Sequence, residues 1–159
     1  MAYTTIDDPS AYFHTLTYSG NSTDDRNITN DANAGDFKPD FLWIKERTST
    51  SSHQLIDSTR GSSNALLSDS TGAEDVDANR VQAFQTNGFQ VGTASTVNAS
   101  GDTYVAWQWK ANGGTTTTND ASATSVGTID SVYQANTTAG FSIVTYTGTG
   151  SAGTIAHGV

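Results

Sequence analysis

The sequence has no cysteine and few charged residues, and each scarcity excludes classes of protein. Without cysteine the chain can form no disulfide, no thiolate nucleophile and no cysteine-ligated zinc site. Only 14% of the 159 residues are charged, and 16 acidic residues against 7 basic ones give a net charge of −9. Such a charge repels phosphate backbones and anionic head groups, so we expect no nucleic-acid partner.

Long apolar runs are also lacking. No segment approaches the roughly 20 apolar residues that span a bilayer, and we therefore predict no membrane insertion. The first nine residues contain neither a basic nor an apolar stretch, so we expect no secretion signal. The length suits one domain plus a piece of another and allows a sizeable core without disulfides.

Short β-branched and aromatic segments, separated by Gly, Asn, Asp and Ser, predict an all-β fold. The predicted strands are 12–18, 41–47, 54–58, 88–92, 103–110 and 141–146. Their spacing favours an antiparallel β-sandwich of the jelly-roll or concanavalin-like type. One further segment, 73–84, begins with acidic residues and is compatible with a short helix, although its apolar residues form no clear stripe.

The clearest alternation lies in residues 104–110, where Val105, Trp107 and Trp109 share one strand face. Burial of two indoles stabilises a fold by several kcal/mol, so we predict that this face points into the core. The predicted core of the first unit is Leu42, Trp43, Ile44, Phe89, Val105, Trp107 and Trp109.

The segment FHTLTYSG at 13–20 is echoed by FSIVTYTG at 141–148. A repeated strand at a large offset is typical of tandem modules. We therefore predict a β-sandwich module at 1–110, a Gly/Thr/Asn-rich linker at 111–125 and, at 126–159, the opening strand of a second, similar unit that is incomplete.

His53, Asp57 and Arg60 form the one cluster with catalytic residue types. It has no nucleophile beside it, and the simpler interpretation is that Asp57 and Arg60 pair or cap a turn while His53 lies at a loop edge. The acidic residues at 24–25, 69, 74–75 and 77 lack the spacing of an EF-hand loop. We predict no catalytic, cofactor-binding or metal-binding residue, no cofactor and no enzymatic activity.

Aromatic side chains offer a different kind of site, because a flat ring can stack on the C–H face of a sugar. The candidates are Trp43, Trp107, Trp109, Tyr12, Tyr18 and Tyr104, most of which we expect in the core. For Trp107 and Trp109 the pattern favours the core over a sugar platform.

Four segments occur in a fixed order: FKPDFLWIKER at 37–47, HQLIDSTRG at 53–61, NGFQVG at 87–92 and YVAWQWK at 104–110. That series resembles a lectin-like repeat module of virion structural and tail-fibre-like proteins of marine bacteriophages, of the cyanophage type. The opening DDPSAYF at 7–13 is similar to the N-terminus of such proteins. The resemblance covers most of residues 1–110 and brings no catalytic residues with it.

The resemblance implies a structural component on the exterior of a phage particle, such as a tail fibre, an appendage or a capsid decoration protein. We expect it to be non-enzymatic, to anchor or space modules for host attachment, and to form a homo-oligomer with other virion proteins as partners. The alternative is a carbohydrate-binding module that recognises host surface glycans. A depolymerase fragment is a third hypothesis, and it would require two carboxylates facing each other across a groove.

Overall fold

A computed structural model describes residues 6–31 and 37–159. The described residues form twelve strands, two α-helices of a single turn and a short 3-10 helix at Pro9–Ala11. The strands are β1 (Phe13–Ser19), β2 (Arg26–Thr29), β3 (Phe41–Glu46), β4 (Gln54–Asp57), β5 (Gly61–Leu67), β6 (Asp75–Val76), β7 (Val81–Gln85), β8 (Gly88–Val91), β9 (Thr103–Trp109), β10 (Thr117–Asn119), β11 (Ser131–Asn136) and β12 (Phe141–Tyr146). The helices are α1 (Ser95–Asn98) and α2 (Ala121–Thr124). Within these residues no helix is long and apolar enough to cross a bilayer.

Two antiparallel sheets enclose one core, which confirms the predicted all-β sandwich. The larger sheet has the order β1-β9-β3-β4-β5-β6, and the smaller has the order β2-β8-β7. The buried core between them consists of Ile28, Leu42, Ile44, Ile56, Ala65, Val81, Phe89, Val91, Val97, Tyr104 and Ala106.

The six predicted strands are all present, with ends that differ by no more than one residue. The helix predicted for 73–84 is wrong, because that segment forms β6 and β7 instead. Val81 lies opposite Val91 and Phe84 opposite Phe89, with a register shift between Val81 and Ala83. In β7 the apolar residues of this segment pack beside those of β8. A helix over the same residues would have no continuous apolar face to bury.

The prediction that Val105, Trp107 and Trp109 face the core is also wrong. The two faces of β9 are as predicted, but the buried face carries Tyr104, Ala106 and Gln108, each 0% exposed. On β3, Leu42 and Ile44 point into the core, and Trp43, which lies between them in the sequence, points to the outer face. Because both faces of these strands are apolar, alternation identifies the faces without saying which one is inside.

Buried hydrogen bonds hold β9 in this orientation. The hydroxyl of Tyr104 donates to the carbonyl of Ser95 at 2.6 Å and accepts from the amide of Ala99 at 2.8 Å. Tyr18 stacks on Tyr104 with ring centres 5.2 Å apart and donates to the carbonyl of Val97 at 2.8 Å. Both rings thus connect the large sheet to α1, and burial raises the pKa of each phenol above its usual value.

A third sheet, of order β10-β11-β12, follows the sandwich and is joined to it by buried polar groups. Gln134, 1% exposed, donates through Nε2 to the hydroxyls of Ser58 at 2.8 Å and Thr59 at 2.6 Å. Its Oε1 accepts from the amides of Asn112 at 3.3 Å and Gly114 at 3.1 Å. One side chain therefore connects β11, the segment after β9 and the turn after β4.

Asp40 completes this junction from the other side. Its carboxylate accepts from the hydroxyl of Ser58 at 2.7 Å and from the amides of Ala111 at 2.7 Å and Gly113 at 2.9 Å. The segment predicted as a linker, 111–125, is thus tied down at its start and also contains β10 and α2. The division into a module, a linker and an incomplete repeat stays a prediction.

The backbones of β2 and β8 approach each other closely at Gly88. A Cβ built on Gly88, where φ is +111°, would lie 2.1 Å from the carbonyl oxygen of Ile28, whereas one on Gly101, where φ is +91°, would meet nothing within 4 Å. Since both glycines have positive φ, alanine would be strained at either position, but it would clash with a neighbouring backbone only at Gly88. We expect Gly88→Ala to lower the free energy of unfolding by about 1–3 kcal/mol more than Gly101→Ala. Equal losses in chemical denaturation would contradict this close approach.

Gln134→Ala should loosen the third sheet, because it removes the four hydrogen bonds that the Gln134 side chain makes to Ser58, Thr59, Asn112 and Gly114. We expect a loss of about 1–3 kcal/mol in the free energy of unfolding and faster proteolysis within 113–120. Gln90→Ala is the matched control, since Gln90 bonds only exposed groups on β2 and the turn before it. Unchanged proteolysis in Gln134→Ala would show that the junction does not hold the sheet.

Candidate functional site: a tryptophan recess on the outer sheet face

The face of the large sheet that points away from the core is strongly apolar. One row of directly opposed residues crosses five strands in the order Thr15, Trp107, Trp43, Leu55 and Leu66. A second row, beside the first, holds Phe13, Trp109, Phe41 and Asp57. Because side chains alternate along each strand, every indole in the sequence lies on this one face.

Trp43, Trp107 and Trp109 line a recess of about 260 Å³ that opens to solvent. The ring centres of Trp43 and Trp107 are 5.9 Å apart, and the planes are inclined by 65°. All three side chains are half-buried, so each retains an accessible edge or face. The arrangement is a recess with indole walls, not a flat aromatic platform.

Trp109 packs against three other rings. Its centre lies 4.9 Å from that of Phe13, 5.3 Å from that of Phe41 and 6.1 Å from that of Phe141. The ring of Phe141, on β12, is nearly parallel to it, at 19°. The third sheet therefore packs against one side of the outer face and fixes the recess wall formed by Trp109.

The three indole N–H groups differ in their partners. Trp43 donates to Nδ1 of His53 at 2.9 Å, and the two rings pack edge to face. Among the described residues, the N–H groups of Trp107 and Trp109 have no acceptor. Neither N–H group is buried, so both are accessible to solvent. Both can therefore donate a hydrogen bond to a ligand or to water.

Polar side chains border the recess. Thr15 and Thr17 are exposed on β1, and Thr15 lies opposite Trp107. Lys45 lies opposite Val105, but its ammonium donates to the carbonyls of Glu46 and Ser49. The border thus offers hydroxyl groups, while its one lysine charge is already bound to backbone oxygen atoms.

A second cleft, of about 330 Å³, lies next to the recess, between β12 and the large sheet. It includes Phe41 and Leu55, which lie directly opposite Trp109 and Trp43 of the recess. Leu66, 41% exposed, and Tyr146, 57% exposed, stand at its outer side. Among the described residues the phenolic hydroxyl of Tyr146 makes no hydrogen bond to the protein.

The structure separates the members of the candidate catalytic cluster. The side chain of Asp57 is 4% exposed, accepts from the amides of Thr59 and Arg60 and pairs with Nε of Arg60 at 2.6 Å. Arg60 also pairs with Glu74 at 2.6 Å and donates to the carbonyl of Leu55. This is the ion pair and turn cap of the simpler interpretation, and His53 lies apart from it on the outer face, bonded to Trp43.

The acidic segments are dispersed. Asp75 pairs with Arg80 at 2.6 Å, Asp24 accepts from Gln82 at 2.8 Å, and Asp69 accepts from the amide of His53 at 3.3 Å. In residues 6–31 and 37–159 no three His, Asp or Glu side chains are placed to hold a metal ion together.

A family model described as a domain of unknown function (DUF7483) matches residues 8–159. The chain belongs to that family. The match includes the sandwich and the third sheet alike, so both occur within one family domain. No curated protein and no solved structure matches the chain.

Sequence reasoning named all three tryptophans but placed them inside. The placement failed because the inner face of β9 carries the small Ala106 and the polar Gln108, whose amide has a buried partner in Asn30 at 2.6 Å, far away in the chain. The contribution of β12 to the face, through Phe141 and Tyr146, required a tertiary contact that no spacing in the sequence indicates.

Proposed function

We propose that the chain is a non-enzymatic carbohydrate-binding module and that the tryptophan recess is its binding site. The observation that carries the proposal is the position of Trp43, Trp107 and Trp109 on the outer sheet face around one solvent-open recess. Indole faces stack on the apolar C–H faces of sugar rings, and their edges donate hydrogen bonds to hydroxyl groups.

The polar groups at the recess favour a sugar over a purely apolar ligand. The N–H groups of Trp107 and Trp109 are open to an acceptor, and Thr15 and Thr17 supply hydroxyls at the border. The net charge of −9 disfavours acidic glycans, and so does the absence of an uncommitted cation at the border among the described residues. A neutral glycan is therefore the ligand class that this chemistry fits best.

The second candidate is a structural component of the phage exterior, in which the outer face packs against another copy or another virion protein. The sequence resemblance to marine phage virion proteins supports it. So do the exposed apolar side chains of Phe13 and Leu66 on the outer face, since exposed apolar patches commonly mark protein interfaces. The two candidates differ in what covers this face, a sugar or a protein.

The variant Trp107→Ala tests sugar binding with little effect on the stability of the fold. Trp107 packs on a single ring, Trp43, whereas Trp109 packs on three. We expect Trp107→Ala to weaken binding at least about tenfold, or about 1.4 kcal/mol, while Trp109→Ala mainly destabilises the fold. Binding is measured by calorimetry and on a microarray of neutral and acidic glycans.

Tyr12→Ala is the control, because Tyr12 packs beside Lys110 and does not line the recess. Failure of the wild-type protein to bind any neutral glycan would contradict the proposal. Concentration-dependent self-association that Phe13→Ser or Leu66→Ser abolishes, seen by sedimentation without glycan binding, would favour the second candidate.

A further inference from the structure

We infer that the recess and the adjoining cleft form one continuous trough that binds an extended neutral glycan of about three or more sugar units. The inference rests on the proposed function and specifies its ligand. It assigns the cleft between β12 and the large sheet, at Leu66 and Tyr146, as the second half of the site.

Continuity follows from strand register. Trp43 in the recess lies directly opposite Leu55 in the cleft, so the two depressions border each other along this row, while Phe141 packs over Trp109 and Phe41 in the row beside it. The floor of the trough is the row Trp107, Trp43, Leu55 and Leu66. No strand or loop of the described residues is inserted between these directly paired positions.

The dimensions can accommodate a ligand longer than one sugar. The row from Trp107 to Leu66 crosses three strand-to-strand gaps, about 14 Å in all, which is the length of about three linked pyranose rings. Ligand clefts typically hold about 300–1,000 Å³. The recess of about 260 Å³ lies below that range and the cleft of about 330 Å³ at its lower end, and together they fall well within it.

The far end of the trough has the same chemistry as the recess. Tyr146 supplies an aromatic ring that is 57% exposed and a hydroxyl without a protein partner in the described part of the chain. Asp57 and Arg60, also at the cleft, are bonded to each other and to backbone groups. The cleft therefore offers no free charge, which fits a neutral ligand along its whole length.

The test is chain length. Calorimetry and indole N–H chemical shifts are measured with β-1,4-linked glucose, β-1,4-linked N-acetylglucosamine and α-1,4-linked glucose probes of one, two, three and six units. For the series that binds, we expect affinity to rise at least about tenfold from one unit to three and to change less than about twofold from three to six, because the trough is then filled.

Variants assign the two ends. Tyr146→Ala and Leu66→Ser should weaken the three-unit probe at least about fivefold and leave the one-unit probe unchanged within about twofold, whereas Trp107→Ala should weaken both. Val126→Ser, which changes an exposed aliphatic residue outside the trough, is the control.

Equal affinity for one and three units, or equal weakening of both by Tyr146→Ala, would overturn the trough while leaving a sugar site at the recess. Failure of every probe to bind would remove the proposed function and the trough with it. A homodimer that Tyr146→Ala dissociates would show that a second copy of the chain occupies this face.

Discussion

The buried hydrogen bonds of Tyr104 and Gln108 are the interactions on which the outer face depends. Tyr104 bonds to Ser95 and Ala99, and Gln108 bonds to Asn30, all from the inner face of β9. If β9 turned its other face inward, these polar groups would lose their partners and the pairing of β9 with its two neighbours, β1 and β3, would change register. The orientation is therefore fixed from inside, and the indoles of Trp107 and Trp109 must lie outside.

That constraint produces an apolar face which the chain itself covers only in part. Phe141 of the third sheet packs on Trp109 and Phe41, and the buried junction of Asp40 and Gln134 holds this sheet in place. Phe141 does not pack on Trp43 or Trp107. An exposed aromatic surface with rigid neighbours and few free charges is a suitable surface for a neutral ligand, since little ordering is required on binding.

Prediction from the sequence succeeded where a single strand carries its own signal. Punctuation by Gly, Asn and Asp located β1, β3, β4, β8, β9 and β12, and the alternation of apolar residues gave the all-β class. It did not find the other six strands, β2, β5, β6, β7, β10 and β11. These are either only two to five residues long or, like β5 and β11, mix polar and apolar residues without a clear alternation. The inward face of β9 was predicted wrongly, because that face includes the polar Gln108 and the bonds that allow its burial join residues far apart in the chain. The sequence thus identified the three tryptophans of the candidate site but placed their side chains in the core instead of on the outer face.

The central claim is that the tryptophans lie on an accessible face and not in the core. Quenching of native tryptophan fluorescence by acrylamide tests it directly, because every indole of the chain belongs to the recess. The account predicts substantial quenching of the folded protein, at a quencher concentration that leaves its unfolding transition unchanged. Quenching that appears only after denaturation, together with the blue-shifted emission of buried indoles in the native state, would contradict it.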